Sequence, residues 1–477
     1  MPKLRAVALA VATLCTLLLV TGCTRGVDGR AVSIYDNPFQ VAGLPTTSGP
    51  SGPRENVPPS DLSADNSDGG EIDTLALNAV TDVQAYWDEH FDAEFEGEFA
   101  PVDKLTSWSA RDSRSKSVEF CDESTYRMVN AAYCRLDNSI GWDRAMLLPT
   151  MSETFGQMAV VMVIAHEYGH AIQNNADLVD RDDPVIVKEQ QADCFAGAYM
   201  RWVAEGKSDY FTINTSDGLN SVLAATVAIR DSDPDDPESV HGSAFERVTA
   251  VQLGFTDGAK ACKGIDMDEI EQRRGDLPQS FDGESGEFEI TEQSLVELGK
   301  ALSVILPTPD EPKYRYDGAE IDCSDGVSTE PVTYCPANNT IATNVEGLSD
   351  RGAPADDADA SLPVKVTGDY NGYVVFISRY TLAVQRSRDQ ELVGAKTGLR
   401  AACLSGVATG KLADTGRAEG DITLAAGDLD EAVSGLLTDG LAASDVEGKT
   451  VPSGFSRVDA FRAGVLGGEQ TCTARYQ

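Results

Sequence analysis

His166, Glu167 and His170 stand within one run of five residues, His166-Glu167-Tyr168-Gly169-His170. Side chains four apart on a helix share a face, so both imidazoles project from one side. Two nitrogens so placed suit adjacent corners of a tetrahedral zinc site, with Glu167 one step round, ready to take a proton from water that the metal activates. The chain has only four histidines, so composition alone does not account for the pair. Catalytic zinc requires a third protein ligand and an open position. Glu189 follows His170 by nineteen positions, and Asp193 lies four further on, sharing its helical face. Glu189 is the candidate third ligand. Asp193 suits a hydrogen bond to the far nitrogen of a liganding histidine, which fixes that ring's tautomer. The competing reading of both is an acidic helix face in an acidic chain. His241, in His241-Gly242-Ser243-Ala244-Phe245-Glu246-Arg247-Val248, and Arg247 are candidates for steadying an oxyanion, although a histidine at a helix start also serves as a cap. His90 reads as structural.

These residues need particular elements to hold them. Gln157 to Asn174 is mostly apolar and free of proline, which predicts a buried helix carrying both histidines. A polar turn follows, and Pro184 suits the first turn of a second helix reaching about Ala204, which returns Glu189 and Asp193 toward the first. Upstream, Leu75, Leu77, Val80, Val83, Tyr86 and Trp87 recur at helical spacing and mark the start of the globular region.

Aspartate and glutamate number 77 against 38 lysine plus arginine, a formal charge of -39 in 477 residues. Such a balance argues against nucleic acid or an anionic membrane surface as partner and favours solubility. The chain is long enough for two or three folded units. Its start reads as an export signal: basic Lys3 and Arg5, an apolar stretch from Ala6 to Val20, then Val20-Thr21-Gly22-Cys23. The last four residues resemble a bacterial lipobox, which implies removal of residues 1–22 and lipidation of Cys23, with attachment by acyl chains at the outer face of the cell membrane. A retained membrane-spanning helix is the alternative, for which the stretch is short. Residues 23–72, rich in Pro, Ser, Gly and Asp, read as a disordered tether of about 40 Å mean span.

The two halves repeat. Eight cysteines remain after Cys15 and Cys23, with spacings of 13, 60 and 68 in the first half and 12, 68 and 69 in the second. Residues 132–140 match residues 333–341, and Phe245, Arg247, Val248 and Cys262 match Phe455, Arg457, Val458 and Cys472 at one offset. A repeated unit closes its own bridges if both copies fold alike, which predicts Cys121 with Cys134, Cys194 with Cys262, Cys323 with Cys335, and Cys403 with Cys472. The domains are then 73–270 and 283–477. Alignment puts Ser378, Arg379 and Leu382 at His166, Glu167 and His170, and Gly398, Ala402 and Val451 at Glu189, Asp193 and His241. The second copy is expected to be a degenerate, non-catalytic domain.

The first copy resembles the bacterial neutral zinc metallopeptidase family. Ala165 to Gln173 looks like its zinc helix, Glu189-Gln190-Gln191-Ala192-Asp193-Cys194-Phe195-Ala196-Gly197 like its ELQADCxAG segment, His241-Gly242-Ser243 with Arg247 like its HGS...R segment, and Tyr133-Cys134 like its FYC strand. Ala171 and Glu246 depart from the usual His and Gln. The ligand pattern is also similar to that of thermolysin-like gluzincins. The resemblance covers residues 73–265 and implies an α+β, mainly helical, zincin-like domain, followed here by a degenerate domain of the same fold. It further implies one Zn2+ on His166, His170 and Glu189, Glu167 as general base, and peptides or proteins of the cell envelope as substrates. The rival expectation is a non-catalytic envelope binding or scaffold lipoprotein with a structural zinc site.

Overall fold

A long apolar run without proline, such as residues 157–175, has its backbone satisfied internally by a helix and its side chains satisfied only by burial. The computed structural model shows that pattern throughout, and it describes residues 37–229, 242–274, 288–354, 366–413, 424 and 427–476. The signal segment, Cys23 and His241 lie outside them.

In the first copy Glu71–Glu94 (α1) buries Leu75, Val80, Val83, Trp87 and Phe91 along one stripe. A three-stranded sheet follows, built from Lys104–Trp108 (β1), Ala131–Cys134 (β2) and Ser139–Asp143 (β3). The central strand is β3, parallel to β1 and antiparallel to β2, with Tyr133 opposite Ile140. Then come Leu147–Phe155 (α2), Gln157–Asn175 (α3), Val185–Ala204 (α4), Asp217–Ala228 (α5) and Ala244–Asp257 (α6). Pro184 stands immediately before α4, where its missing N–H costs no helical bond.

The second copy repeats the order: Glu292–Ile305 (α7), Lys313–Arg315 (β4), Val332–Cys335 (β5), Thr340–Thr343 (β6), Asp369–Ser387 (α8), Ala395–Leu412 (α9), Asp428–Thr438 (α10) and Gly454–Arg475 (α11). Its sheet has the same topology, β6 being central, parallel to β4 and antiparallel to β5. The fold is α+β and mainly helical.

All four disulfides close within their own copies as the repeat predicts: Cys121–Cys134, Cys194–Cys262, Cys323–Cys335 and Cys403–Cys472. Cys194 and Cys403 lie where two helices touch backbone to backbone. A Cβ on Gly254 would stand 1.8 Å from the Cys194 carbonyl oxygen, and one on Gly464 1.8 Å from that of Cys403. Each copy thus locks one tight helix crossing with one long-loop bridge, a constraint of about 2–4 kcal/mol.

The copies are not two beads on a string. The described residues form one unit, and a continuous apolar core runs through both halves. Across the contact Asn220 Oδ1 accepts from the Gly454 amide at 2.6 Å, and Asp430 Oδ1 accepts from the Phe245 amide at 3.2 Å. Asn220 and Asp430 are repeat equivalents, so each copy caps the other's last long helix, α11 or α6. The Phe255 and Phe455 rings meet at 5.3 Å between them.

The expected tether is corrected over residues 37–72. Gly52–Pro53 pairs with Phe211–Thr212, Asn214 Nδ2 donates to Ser51 Oγ and Gly49 O, Thr215 bonds Thr47 and Pro45 O, and Val41 is fully buried. The segment is poor in apolar residues, but its hydroxyls and backbone find partners in the loop 208–216, a source of order that apolar content does not register. No helix among the described residues is long and apolar enough to cross a membrane.

Candidate metal centre

The centre is built from α3 and α4. Gly169, between the two histidines, lets them approach: a Cβ there would stand 2.8 Å from the Ala192 Cα. The approach brings Glu189 and Asp193 of α4 onto the histidine face of α3. His166 Nε2 lies 3.2 Å from Glu189 Oε2 and His170 Nε2 lies 3.5 Å from Glu189 Oε1, with the imidazoles nearly perpendicular. One donor atom from each of His166, His170 and Glu189 falls within 4.8 Å of the others.

The far side of each ring is engaged as well. His166 Nδ1 donates to Asp193 Oδ1 at 2.8 Å, and His170 Nδ1 donates to Gln173 Oε1 at 2.9 Å. A neutral imidazole carries one proton, so a donor at Nδ1 leaves a lone pair at Nε2. With both rings neutral, as ligation of a metal requires, the two lone pairs would face the same small volume as the Glu189 carboxylate. Two imidazoles and one carboxylate are a donor set suited to Zn2+, and the Nδ1 partners supply the orientation such ligands need.

Asp193 is 0% exposed and Arg247 1%. The guanidinium donates from Nε to Asp193 Oδ2 and from Nη2 to Asp193 Oδ1, both at 2.8 Å, and from Nη1 to the Ile229 carbonyl at 2.6 Å. The oxyanion role expected of Arg247 is therefore corrected. It is buried and committed to Asp193, and acts on His166 through that carboxylate. Asp193 is held below the usual carboxylate range because Arg247 and His166 outweigh the burial that opposes ionisation. His166 rises to about 10: burial works against its charged form, but Asp193, Glu189 and Glu167 overcome it. His170 rises by the same contest, with Glu189 the main opposing charge to burial. Burial would also raise Glu189, yet the two histidines hold it well below normal.

Glu167 shifts up, chiefly through burial, with the histidines opposing and Glu189 reinforcing. Its Oε2 accepts the Tyr133 backbone N–H at 3.0 Å. Tyr133 belongs to β2, so the sheet positions the carboxylate that the helix carries. Two contributors escaped the residue-type reading: the Tyr133 amide, because a backbone group leaves no mark in sequence, and Gln173. Gln173 was detectable in principle, three residues after His170 on the same helix face. Its amide nitrogen donates to the Lys188 carbonyl at 2.6 Å and to Gln191 Oε1 at 3.1 Å, tying α3 to α4. His90, in α1, has Nδ1 against the Tyr86 carbonyl and takes no part in the centre.

The second copy fills the equivalent place with other chemistry. Arg379, at the Glu167 position, is buried and donates to the Val332 carbonyl and Ser444 Oγ. Ser378 bonds its own helix, and the turn at 441–443 lies against Gly398, leaving no room for a side chain where Glu189 stands in the first copy. Arg457, the counterpart of Arg247, has Ala402 in place of Asp193 and donates to the Val451 and Leu437 carbonyls instead.

No family model matches the chain. It is similar to uncharacterized proteins of Mycobacterium tuberculosis and Mycobacterium bovis, 27% identical over 154 residues, covering 27% of this chain and 53% of the relative in each case. The chain thus spans about half the length of the curated relatives it matches. No solved structure matches it.

Proposed function

We propose that this chain is a zinc-dependent metallopeptidase of zincin-like fold, related to the bacterial neutral zinc metallopeptidases, exported and lipid-anchored through Cys23, acting on peptides at the outer face of the cell membrane. One observation carries the reading. The Nδ1 partners Asp193 and Gln173 turn both Nε2 atoms toward Glu189. His166, His170 and Glu189 would hold the ion, and zinc bound there polarises a scissile carbonyl and acidifies water.

The rest of the chemistry is the chain's own. Glu167 has one oxygen held by the Tyr133 amide, while Oε1 bonds no described residue and is available to accept a proton from the attacking water and return it to the leaving amine. Asp193 and Gln173 keep the two ring tautomers fixed, and Arg247 keeps Asp193 ionised and in place. Peptide as the substrate rests on the family resemblance, since the same groups serve an amidase.

The test is Glu167→Gln, which keeps shape and removes the base. Zinc content should be unchanged while hydrolysis of an unstructured protein falls about 10²- to 10⁴-fold. Undiminished hydrolysis with zinc bound refutes the mechanism. The scaffold reading draws on the second copy, which retains its bridges and core with the cleft filled. Stoichiometric zinc without turnover of a broad peptide library would favour it.

A further inference from the structure

Between β1 and β2, residues 109–130 frame a groove of about 710 Å³ lined by Arg111, Asp112, Tyr126, Arg127, Val129 and Met146. The Tyr126 ring is flanked by two guanidinium groups, Arg114 at 4.9 Å and Arg127 at 5.3 Å from its centroid. Arg111, Arg114 and Arg127 are exposed, and none is ion-paired to a described residue. That is unusual in a chain with twice as many acidic as basic residues. Arg127 is held at φ 61°, a left-handed conformation that costs a non-glycine residue about 1 kcal/mol or more. The equivalent loop of the second copy, residues 316–331, has no arginine or lysine and five acidic residues. Loop 109–130 itself pairs four basic residues with four acidic ones, Asp112 in the groove among them, so what accompanies only the copy with the metal-ligand set is the group of exposed arginines. It is also near that set along the chain: Val129 precedes Tyr133, whose amide holds Glu167, by four residues, a span of at most about 14 Å.

We infer that this groove is a specificity subsite for carboxylate side chains, so that the substrate class is an acidic peptide whose negatively charged segment lies several residues from the bond being cut. Guanidinium forks pair with carboxylates through two parallel hydrogen bonds, and Tyr126 pre-orients two of them. A peptide running from Glu167 past Tyr133 toward Val129 reaches the groove within about four residues. The inference rests on the peptidase reading for the place of the cut, but not for the binding itself.

Binding is therefore measured apart from turnover, on the Glu167→Gln protein, by fluorescence polarisation of a labelled dodecapeptide with glutamate at alternate positions and of its glutamine counterpart. The glutamate peptide should bind more tightly, and the preference should shrink as salt rises. Arg111→Gln with Arg127→Gln should lower its affinity about 3- to 10-fold and leave the glutamine peptide unaffected. Arg111→Lys with Arg127→Lys, which keeps the charge but loses the paired hydrogen bonds, should retain only part of the preference. Equal binding of the two peptides, or a preference that survives the double glutamine variant, overturns the proposal, as does binding to phosphatidylglycerol vesicles in place of the peptide. If the glutamate preference holds but the unsubstituted protein cuts nothing, the peptidase reading fails and the subsite stands.

Discussion

Replacing Asp193 by Asn tests the physical core of the centre. The carboxylate is fully buried, and its two oxygens take three charge-assisted contacts, from His166 Nδ1, Arg247 Nε and Arg247 Nη2, all at 2.8 Å. Asparagine keeps the volume, loses the charge, and turns an NH2 group against a guanidinium or an imidazole N–H. Removing one partner of a buried ion pair costs about 3–5 kcal/mol, because the remaining charge is left uncompensated. Since Asn still offers one acceptor oxygen, about 3 kcal/mol of folding stability should be lost, read as a shift in urea midpoint at constant slope. Zinc affinity should fall by about 10- to 100-fold, as expected when the partner that orients a liganding histidine is lost. The fall should depend on pH. In the metal-free wild type His166 is protonated up to about 10, so zinc must displace that proton, whereas without the Asp193 charge the proton is held less tightly. The deficit of the variant should therefore be larger at pH 9 than at pH 7, where the wild type loses more to the competing proton. A competitive chelator titration at both pH values measures it. Zinc affinity within twofold of wild type at pH 9, together with an unchanged urea midpoint, would refute the roles given to Asp193.

Two further outcomes follow from the same geometry. The metal-free protein should gain stability from protonated His166; because its folded pKa is raised, that gain is full below the unfolded value of about 6.5 and lost as pH rises through about 10. Glu189 and Asp193 are shifted down, so their gain is present above their unfolded values and lost as pH falls through the folded ones. The melting temperature without zinc should thus decline from pH 6.5 upward, and a flat profile would contradict the shift. At the contact between the copies, Asp430→Ala strips the Phe245 amide of its acceptor and should destabilise by about 1 kcal/mol, as should Asn220→Ala at Gly454. If either variant also separates the unfolding of the two copies into distinct transitions, as calorimetry would show, the shared core is weaker than its continuity suggests.

Much of this arrangement can be read from residue order, for local reasons. Helical periodicity and the i, i+4 spacing of His166 with His170 and of Glu189 with Asp193 are set by helix geometry, so the two helices, their facing sides and the absence of equivalents at Ser378, Arg379 and Leu382 need no coordinates. The repeat does the same for the four disulfides, because two similar copies must bridge alike. What depended on distant parts of the chain was invisible at that level. The Tyr133 amide reaches Glu167 from a strand, a backbone contact that no side-chain type announces. Arg247 is spoken for by Asp193 once α6 lies on α4, which removes it from any oxyanion. Residues 37–72 look unstructured by composition, yet hydroxyls and amides pair them with the loop 208–216. The two copies share one core through Asn220 and Asp430, whose polar side chains give no sign of a contact. Spacing along a helix is a local property of the chain, whereas each of these contacts joins residues about 34 to 234 positions apart, and packing alone determines which of them meet.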